Sequence, residues 1–398
     1  MECANFPLQP HIITTITLRY EVIEVCAAKL FSSDQQAART SPCGIFHVRC
    51  RSNLLLEEPK MKKTLAILCA LAMVFALCAC GETAAPAAAP AASPEAVSDA
   101  APAASDAKTF TVGVCQLVQH PALDAATQGF QDALTEKLGD QVSFSVQNAS
   151  GDSATCSVIC NQFVSDGVDL ILANATPALL AAQSATSKIP ILGTSVTDYA
   201  DALGLEAGST TTGTNISGTS DGVPAQSFAD LLKQVFPDTQ KVGMLYCSGE
   251  PNSKFQADQI RPILEGMGYT VADYTFADSN DVAQVAANAC DDSDVLYIPT
   301  DNTAASNAEL INSVCLEKKV PVVAGEENLC LGCGSVTLSI SYYDLGKVTG
   351  EMAAKVLADG ADVSTMTIEY APFTGKYNAA NCEALSVAVP EGFEAIEG

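Results

Sequence analysis

The 398-residue chain has no Trp, only 3 His, and 20 Lys+Arg set against 46 Asp+Glu, which gives a formal net charge of -26. Each scarcity removes a class of function. Residues 80–398 hold 12 basic and 40 acidic side chains, so no basic face exists to neutralise phosphates, and nucleic-acid binding by that route is excluded. His11 and His47 precede residue 61, which leaves His120 as the one imidazole beyond it. A Ser-His-Asp hydrolase would depend on that single ring, and a His-rich metal site cannot be built. The lack of indole argues against a sugar site based on Trp stacking, although Tyr and Phe remain. Arg261 is the only Arg after residue 80 and falls within a predicted helix, so an anionic ligand group would be held by other means. No nucleophile elbow, P-loop or zinc motif occurs, and neither a metal nor a cofactor is expected. With no base–nucleophile pair, the chain reads as a non-enzyme.

Cysteine is plentiful but badly arranged for disulfides. Of 16 Cys, four lie in residues 1–60, Cys69, Cys78 and Cys80 follow, and nine remain, scattered through predicted strands and helices. An odd number so placed does not form a disulfide framework; most are expected to be buried thiols acting as small hydrophobes. The exception is Cys330-Leu331-Gly332-Cys333, a lone C-x-x-C in a Gly-rich stretch. It is expected to be a local disulfide or two free thiols in a turn, not a zinc site.

Long apolar runs are also scarce. The most continuous, Thr64–Leu77, follows Met61-Lys62-Lys63 and precedes Leu77-Cys78-Ala79-Cys80. It is shorter than the roughly 20 residues that span a bilayer, and the positive start, short apolar core and small residues before Cys80 make a secretory signal over residues 61–79. The Leu-x-Ala-Cys ending resembles the lipobox of bacterial lipoproteins, which implies acylation (palmitate among the chains) at Cys80 and anchorage at the extracytoplasmic face of the cell membrane. Residues 1–60 then stand ahead of a signal peptide, with mixed composition and no targeting logic. They are expected to be a mis-translated leader, with Met61 the true start. Residues 80–107 are Ala-, Pro- and Ser-rich with no large apolar side chain after Cys80, which reads as a flexible tether.

From Lys108 the pattern becomes regular. Strand-like runs at Phe110–Cys115, Val142–Val146, Val168–Ala173 and Ile189–Gly193 alternate with helical spacings such as Leu123, Ala126, Phe130 and Leu134. A polar stretch, Gly208–Thr219, interrupts. A second series follows, with strands at Val242–Tyr246, Tyr269–Phe276, Val295–Pro299 and Val320–Ala324 and helices between them. Alternation of this kind predicts an α/β fold of two Rossmann-like lobes with parallel sheets. Ligands in such sheets bind outside the carboxyl ends of the strands, so the residues after each strand are the candidates. They are rich in hydroxyls, amides and acids: Gln119-His120-Pro121, Ala175-Thr176-Pro177, Thr197-Asp198, Ser248 to Ser253, Thr300-Asp301-Asn302 and Glu326. Thr176 before Pro177 reads as an N-cap, and Asn252-Ser253 as another helix start. Such N-termini hold carboxylates through free N–H groups, or these residues merely cap helices. Asp198, Asp301 and Glu326 are placed to meet a ligand ammonium, and His120 reads as a hydrogen-bonding loop residue.

The stretches His120-Pro121-Ala122-Leu123-Asp124, Asn148-Ala149-Ser150-Gly151-Asp152, Ala175-Thr176-Pro177-Ala178, Val196-Thr197-Asp198, Gly218-Thr219-Ser220-Asp221, Pro299-Thr300-Asp301-Asn302 and Tyr342-Tyr343-Asp344-Leu345-Gly346 resemble, in order, the substrate-binding lipoproteins of ABC transporters of tryptophan/tyrosine type. That resemblance implies a type I periplasmic-binding fold with hinge strands joining two lobes. Lobe one would be 108–217 plus 341–360, and lobe two 218–340 plus 361–398, with hinges near Ser217–Ser220 and Ser339–Ser341. It implies ligand-binding roles for His120, Thr176, Thr197, Asp198, Asp221, Thr300, Asp301 and Asn302; strand-end logic adds Ser248 and Ser253. The expected function is extracytoplasmic capture of an aromatic or other apolar amino acid by a lipid-anchored monomer that serves ABC permease and ATPase subunits. The alternatives are a sensor module for a signalling partner, or a binder of a sugar, nucleoside or small peptide.

Overall fold

Runs that are apolar on both faces demand helices on both sides of a sheet, and the chain meets that demand twice. The computed structural model describes residues 108–397; the leader, signal, Cys80 and tether expected from the sequence lie outside the described residues. The first series is β1 (Phe110–Gln116), α1 (Pro121–Leu138), β2 (Val142–Asn148), α2 (Ser153–Asp166), β3 (Leu170–Asn174), α3 (Thr176–Ala185), β4 (Ile191–Val196), α4 (Tyr199–Leu203) and β5 (Ile216–Ser220). The second is α5 (Ala225–Val235), β6 (Lys241–Cys247), α6 (Pro251–Gly266), β7 (Thr270–Phe276), α7 (Val282–Asp292), β8 (Val295–Ile298), α8 (Asn302–Ser306), α9 (Ala308–Lys318), β9 (Val322–Ala324), α10 (Glu327–Cys333) and β10 (Val336–Ser339). The tail adds α11 (Tyr342–Asp359), β11 (Glu369–Tyr370), β12 (Thr374–Tyr377), α12 (Ala379–Leu385) and β13 (Glu394–Ala395).

Two sheets result, ordered β11-β5-β4-β3-β1-β2 and β13-β12-β10-β9-β8-β6-β7. Among the described residues all strand pairings are parallel except β10 with β12. The central strands β3 and β4 are buried at every position, whereas edge strands β2 and β7 mix exposed and covered residues. The chain passes between lobes three times, at about residues 221–224, 340–341 and 371–373.

Two sequence expectations change here. The polar run Ile216-Ser217-Gly218-Thr219-Ser220, expected to hold the first hinge, is the strand β5. Its hydroxyls are satisfied inside the lobe: Ser217 Oγ donates to the Met366 carbonyl at 3.0 Å, and Thr219 Oγ1 pairs with Thr349 Oγ1 at 2.8 Å. Gly218, at φ 144°, lies so close to the Gly193 carbonyl that no side chain could be carried there. The tail, expected in lobe two from residue 361, stays longer in lobe one. Ile368 is buried in the lobe-one core and β11 pairs with β5, so the chain leaves lobe one only after Tyr370.

The return helix α11 is fixed against α1 by small residues. A Cβ at Gly346 or Gly350 would strike the α1 backbone at Ala126 or Phe130, so glycine permits the close approach of the two helices. This seats Tyr342, the first residue of α11, at the base of the cleft.

Candidate functional site

Among the described residues, two direct side-chain hydrogen bonds cross from lobe to lobe at the strand ends. His120, after β1, joins its Nε2 to Asn302 Oδ1 at 3.1 Å, and Gln256 Nε2 in α6 donates to Thr197 Oγ1 at 3.4 Å. All four residues lie beyond strand carboxyl ends, so those ends of the two sheets face one another across a cleft. Crevices of about 370 Å3 and about 310 Å3 flank this seam. The first is bordered by Val118, Pro177, Glu250 and Thr303, and the second by Thr197, Phe255, Gln256 and Tyr370.

On lobe one the rim is knitted by strand-end bonds: Leu117 N–H to the Asn174 carbonyl (3.2 Å), Ala175 N–H to that of Thr194 (3.0 Å) and Asp221 N–H to that of Val196 (3.2 Å). Thr176, Ser195 and Asp221 therefore occupy consecutive strand ends. Ala175 and Ser195 hold the left-handed φ values 95° and 55°, which cost non-glycine residues of order 1–3 kcal/mol and cluster at functional sites. A bulge between Gly193 and Val196 accompanies the Ser195 turn. Thr176 is not the N-cap expected; Ala175 takes that position, and Thr176 is the first helical residue. Its hydroxyl is therefore free of the cap. Thr176 Oγ1, Ser195 Oγ and Asp221 Oδ1 are all buried without a hydrogen-bond partner, an uncommon state for buried polar atoms.

Asp221 is the central electrostatic feature. Burial pushes its carboxyl up to about 6, against the hydrogen bond from Tyr342 that holds it down. Tyr342 OH donates to Oδ2 at 2.9 Å, which leaves Oδ1 open. Among the described residues Asp221 is the one buried carboxylate with an unpartnered oxygen.

The other buried acids are committed. Glu250, at the N-cap of α6, accepts from Asn302 N (3.0 Å), Asn302 Nδ2 (2.7 Å), and Thr303 N and Oγ1 (2.7 Å each). Asp301 accepts from Cys247 N and Ala304 N, both at 2.7 Å, and so caps α8 and ties it to β6; burial and the neighbouring Glu250 raise its carboxyl. Glu326 caps α10 through the N–H groups of Asn328 (2.7 Å) and Leu329, with burial pushing its carboxyl up to about 7. The sequence placed Asp301 and Glu326 to meet a ligand cation, but within the protein both carboxylates are already engaged. Their oxygens instead serve backbone N–H groups, a role that strand-end position alone cannot distinguish.

The Glu250 contacts also orient the latch. With Asn302 Nδ2 given to Glu250, Oδ1 faces His120, which must donate through Nε2–H; Nδ1 is then an acceptor, buried and unpartnered. Burial lowers the His120 pKa, so the ring is neutral.

Of the ten residues expected, His120, Thr176, Thr197 and Asp221 lie at the strand ends of lobe one, and Ser253, Thr300, Asp301 and Asn302 at or just beyond those of lobe two. Ser253 is fully buried beside Asp301, and Thr300 contacts Gln256 Oε1 through N–H (3.2 Å) and hydroxyl (3.3 Å). Asp198 is half-buried; it caps α4 through Asp201 N–H at 2.8 Å and borders only the crevice beside Tyr370. Ser248 is exposed, its hydroxyl given to the Phe276 carbonyl at 3.2 Å. The ten residues singled out from the sequence left out Ser195, Glu250, Asn252, Gln256 and Tyr342, although Glu250 and Asn252 stand within the Ser248 to Ser253 turn named there. Asn252 and Gln256 lie one turn apart on α6, which begins at Pro251, so the two side chains share one face of the helix. The C-x-x-C likewise falls in helix α10, with both thiols buried and free.

A sequence model described as "ABC transporter substrate binding protein" matches residues 111–392. A curated protein named "Tyrosine-binding protein" from Clostridioides difficile is 37% identical over 264 residues, covering 66% of this chain and 76% of that protein. Among solved structures, an ABC domain in complex with L-Trp from Streptococcus pneumoniae matches at TM-score 0.68 and 31% identity, over 71% of this chain and 97% of the other. A ligand-free, open substrate-binding protein with adhesive properties from Clostridium difficile matches at TM-score 0.56 and 36% identity, over 73% and 99%. The superposition is better on the L-Trp complex despite its lower identity.

Proposed function

Since the chain belongs to the ABC transporter substrate-binding protein family, we propose that it captures an aromatic L-amino acid between its lobes and delivers it to an ABC permease with its ATPase. The observation that carries the reading is the trio on consecutive strand ends. Asp221 Oδ1 is a buried acceptor with no partner, suited to an α-ammonium; the Thr176 and Ser195 hydroxyls beside the start of α3 are unpartnered donors suited to an α-carboxylate. No Arg is needed for this pairing, in keeping with Arg261, which lies on α6 and bonds Asp273 and the Val271 carbonyl. The relatives, one named tyrosine-binding and one bound to L-Trp, support an aromatic side chain.

The ligand would act as a bridge. Contact with both lobes stabilises their closed arrangement by its differential affinity, and the permease reads closure. We read the cleft as binding without chemistry, because His120 gives Nε2 to Asn302 and is poised against no nucleophile. The lipobox-like ending at Cys80 supports anchorage at the extracytoplasmic membrane face.

A thermal-shift screen of the protein against amino acids, sugars and nucleosides tests the reading. L-Tyr, L-Trp or L-Phe should raise Tm; stabilisation by a sugar or nucleoside with none by amino acids would overturn it. Anchorage predicts an acylated Cys80 at the mature N-terminus in mass spectra of membrane fractions, and an unmodified Cys80 would exclude it.

A further inference from the structure

Nine free cysteines are buried in the described residues, and one pair is already in sulfur–sulfur contact. Cys290, in the last turn of α7, and Cys315, in α9, place their Sγ atoms 3.7 Å apart. The two helices pack together in the lobe-two core, which also holds Ala286, Ala289 and Ile311. We propose that Cys290 and Cys315 are a disulfide-forming pair whose bond encloses the Thr300–Asn302 segment of the ligand cleft.

The geometry supports closure. Sulfurs at van der Waals distance on packed helices need mainly side-chain rotation to reach bonding distance, because the backbones are already adjacent. The two thiols are not equivalent. Cys290 is 6% exposed and Cys315 1%, and the hydrogen bond from Cys315 favours the Cys290 thiolate and outweighs its burial and the neighbouring Asp291, with Lys318 a smaller aid. Cys290 is thus the thiol that reacts first. Its thiolate attacks an external low-molecular-weight disulfide, one external thiolate leaves, and a mixed disulfide forms on Cys290. The Cys315 thiolate then attacks the Cys290 sulfur and expels the second external thiolate. Two protons and two electrons leave the pair, and the external disulfide is reduced to two thiols. An oxidising compartment of the kind proposed above supplies that oxidant.

The bond would have a local consequence. The residues between the two cysteines include β8, the Thr300-Asp301-Asn302 turn, α8 and most of α9, so one covalent loop would hold the Asn302 half of the interlobe latch. The pairing rests on lobe-two packing and stands apart from the ligand reading; only its oxidant rests on the extracytoplasmic location proposed above.

The test uses the intact reduced protein, incubated near pH ~8 with oxidised and reduced glutathione, then denatured, alkylated and digested. The expected result is a cross-linked peptide pair carrying Cys290 and Cys315, lighter by two hydrogens and separable by reductant. Tm should rise by about 5 °C, as expected when a bridge closes a loop of this size in a domain of this size. Cys315→Ala should abolish both effects, and Cys333→Ala should leave them. Full alkylation of both thiols after oxidation, or a Cys315–Cys333 link instead, overturns the proposal. Because the linked peptide is read on the unsubstituted chain, the outcome stands even where a variant fails to fold.

Discussion

Asp221→Asn is the substitution that most sharply separates ligand binding from folding. In the free protein the carboxyl is fully buried and pushed up to about 6 from its ordinary 3.8. A raised carboxyl adds stability that is fully present below pH 3.8 and is lost as pH rises through 6. At one pKa unit per 1.36 kcal/mol, ionising Asp221 costs the free fold about 3 kcal/mol at neutral pH. Asn keeps the shape and can accept from Tyr342 without that cost, so the free variant should be as stable as the parent at pH 7 or more so. Binding should move the other way. Removing one partner of a buried charge pair costs about 2–5 kcal/mol, or about 30-fold or more in Kd. The parent's affinity should also fall about tenfold between pH 7 and pH 5, as Asp221 takes up a proton that an ammonium ligand must displace, whereas the variant should show no such slope. Titration calorimetry at several pH values, paired with thermal melts, measures both. An unchanged Kd in the variant, or an undiminished pH slope, would refute the assignment of Asp221 to the ammonium.

Three further outcomes follow. His120→Ala removes a lobe-bridging hydrogen bond worth about 1 kcal/mol, so Kd should rise about fivefold with little change in the Tm of the free protein; small-angle scattering should show a more open average. Asp301→Ala frees the N–H groups of Cys247 and Ala304 and should cost about 2–4 kcal/mol of stability, seen as a lowered Tm without ligand; an unaltered Tm would return Asp301 to the ligand contacts. Glu326, with its carboxyl raised from 4.5 to about 7, contributes stability that is lost as pH rises through 7, so Glu326→Gln should flatten the decline in stability between pH 4.5 and 7.

The sequence and the structure agree where one physical signal dominates. Apolar strand runs such as Leu170–Asn174 and helical spacings such as Leu123, Ala126, Phe130 and Leu134 admit one burial pattern each, and the two-lobed α/β fold follows from them. Disagreement arises where polar residues satisfy one another out of sight of the sequence. The hydroxyls of Ser217 and Thr219 resemble a hinge until Met366 and Thr349 are brought to them. The short tail strand Glu369–Tyr370 has no periodicity to announce it. Its place in lobe one depends on Ile368 entering a core built more than 100 residues earlier. At the cleft, strand-end position pointed to His120, Thr176 and Asn302 and the family resemblance to Asp221, yet neither could rank the acids. Asp301, Glu326 and Asp221 all follow strands; the difference is that backbone N–H groups occupy both oxygens of the first two and leave Asp221 Oδ1 open. Ser195 was not singled out because the placement of its buried, unpartnered hydroxyl comes from a left-handed turn that no residue type in Ile191–Val196 demands.

The function proposed above turns on an aromatic L-amino acid held in the cleft with its ammonium on Asp221. A crystal structure of the protein grown with L-Tyr or L-Trp is the decisive measurement. The ligand nitrogen is expected within hydrogen-bonding distance of Asp221 Oδ1, the carboxylate at Thr176 and Ser195, and His120 still joined to Asn302. A bound amino acid whose ammonium lies elsewhere, with Asp221 Oδ1 turned away from it, would contradict that assignment.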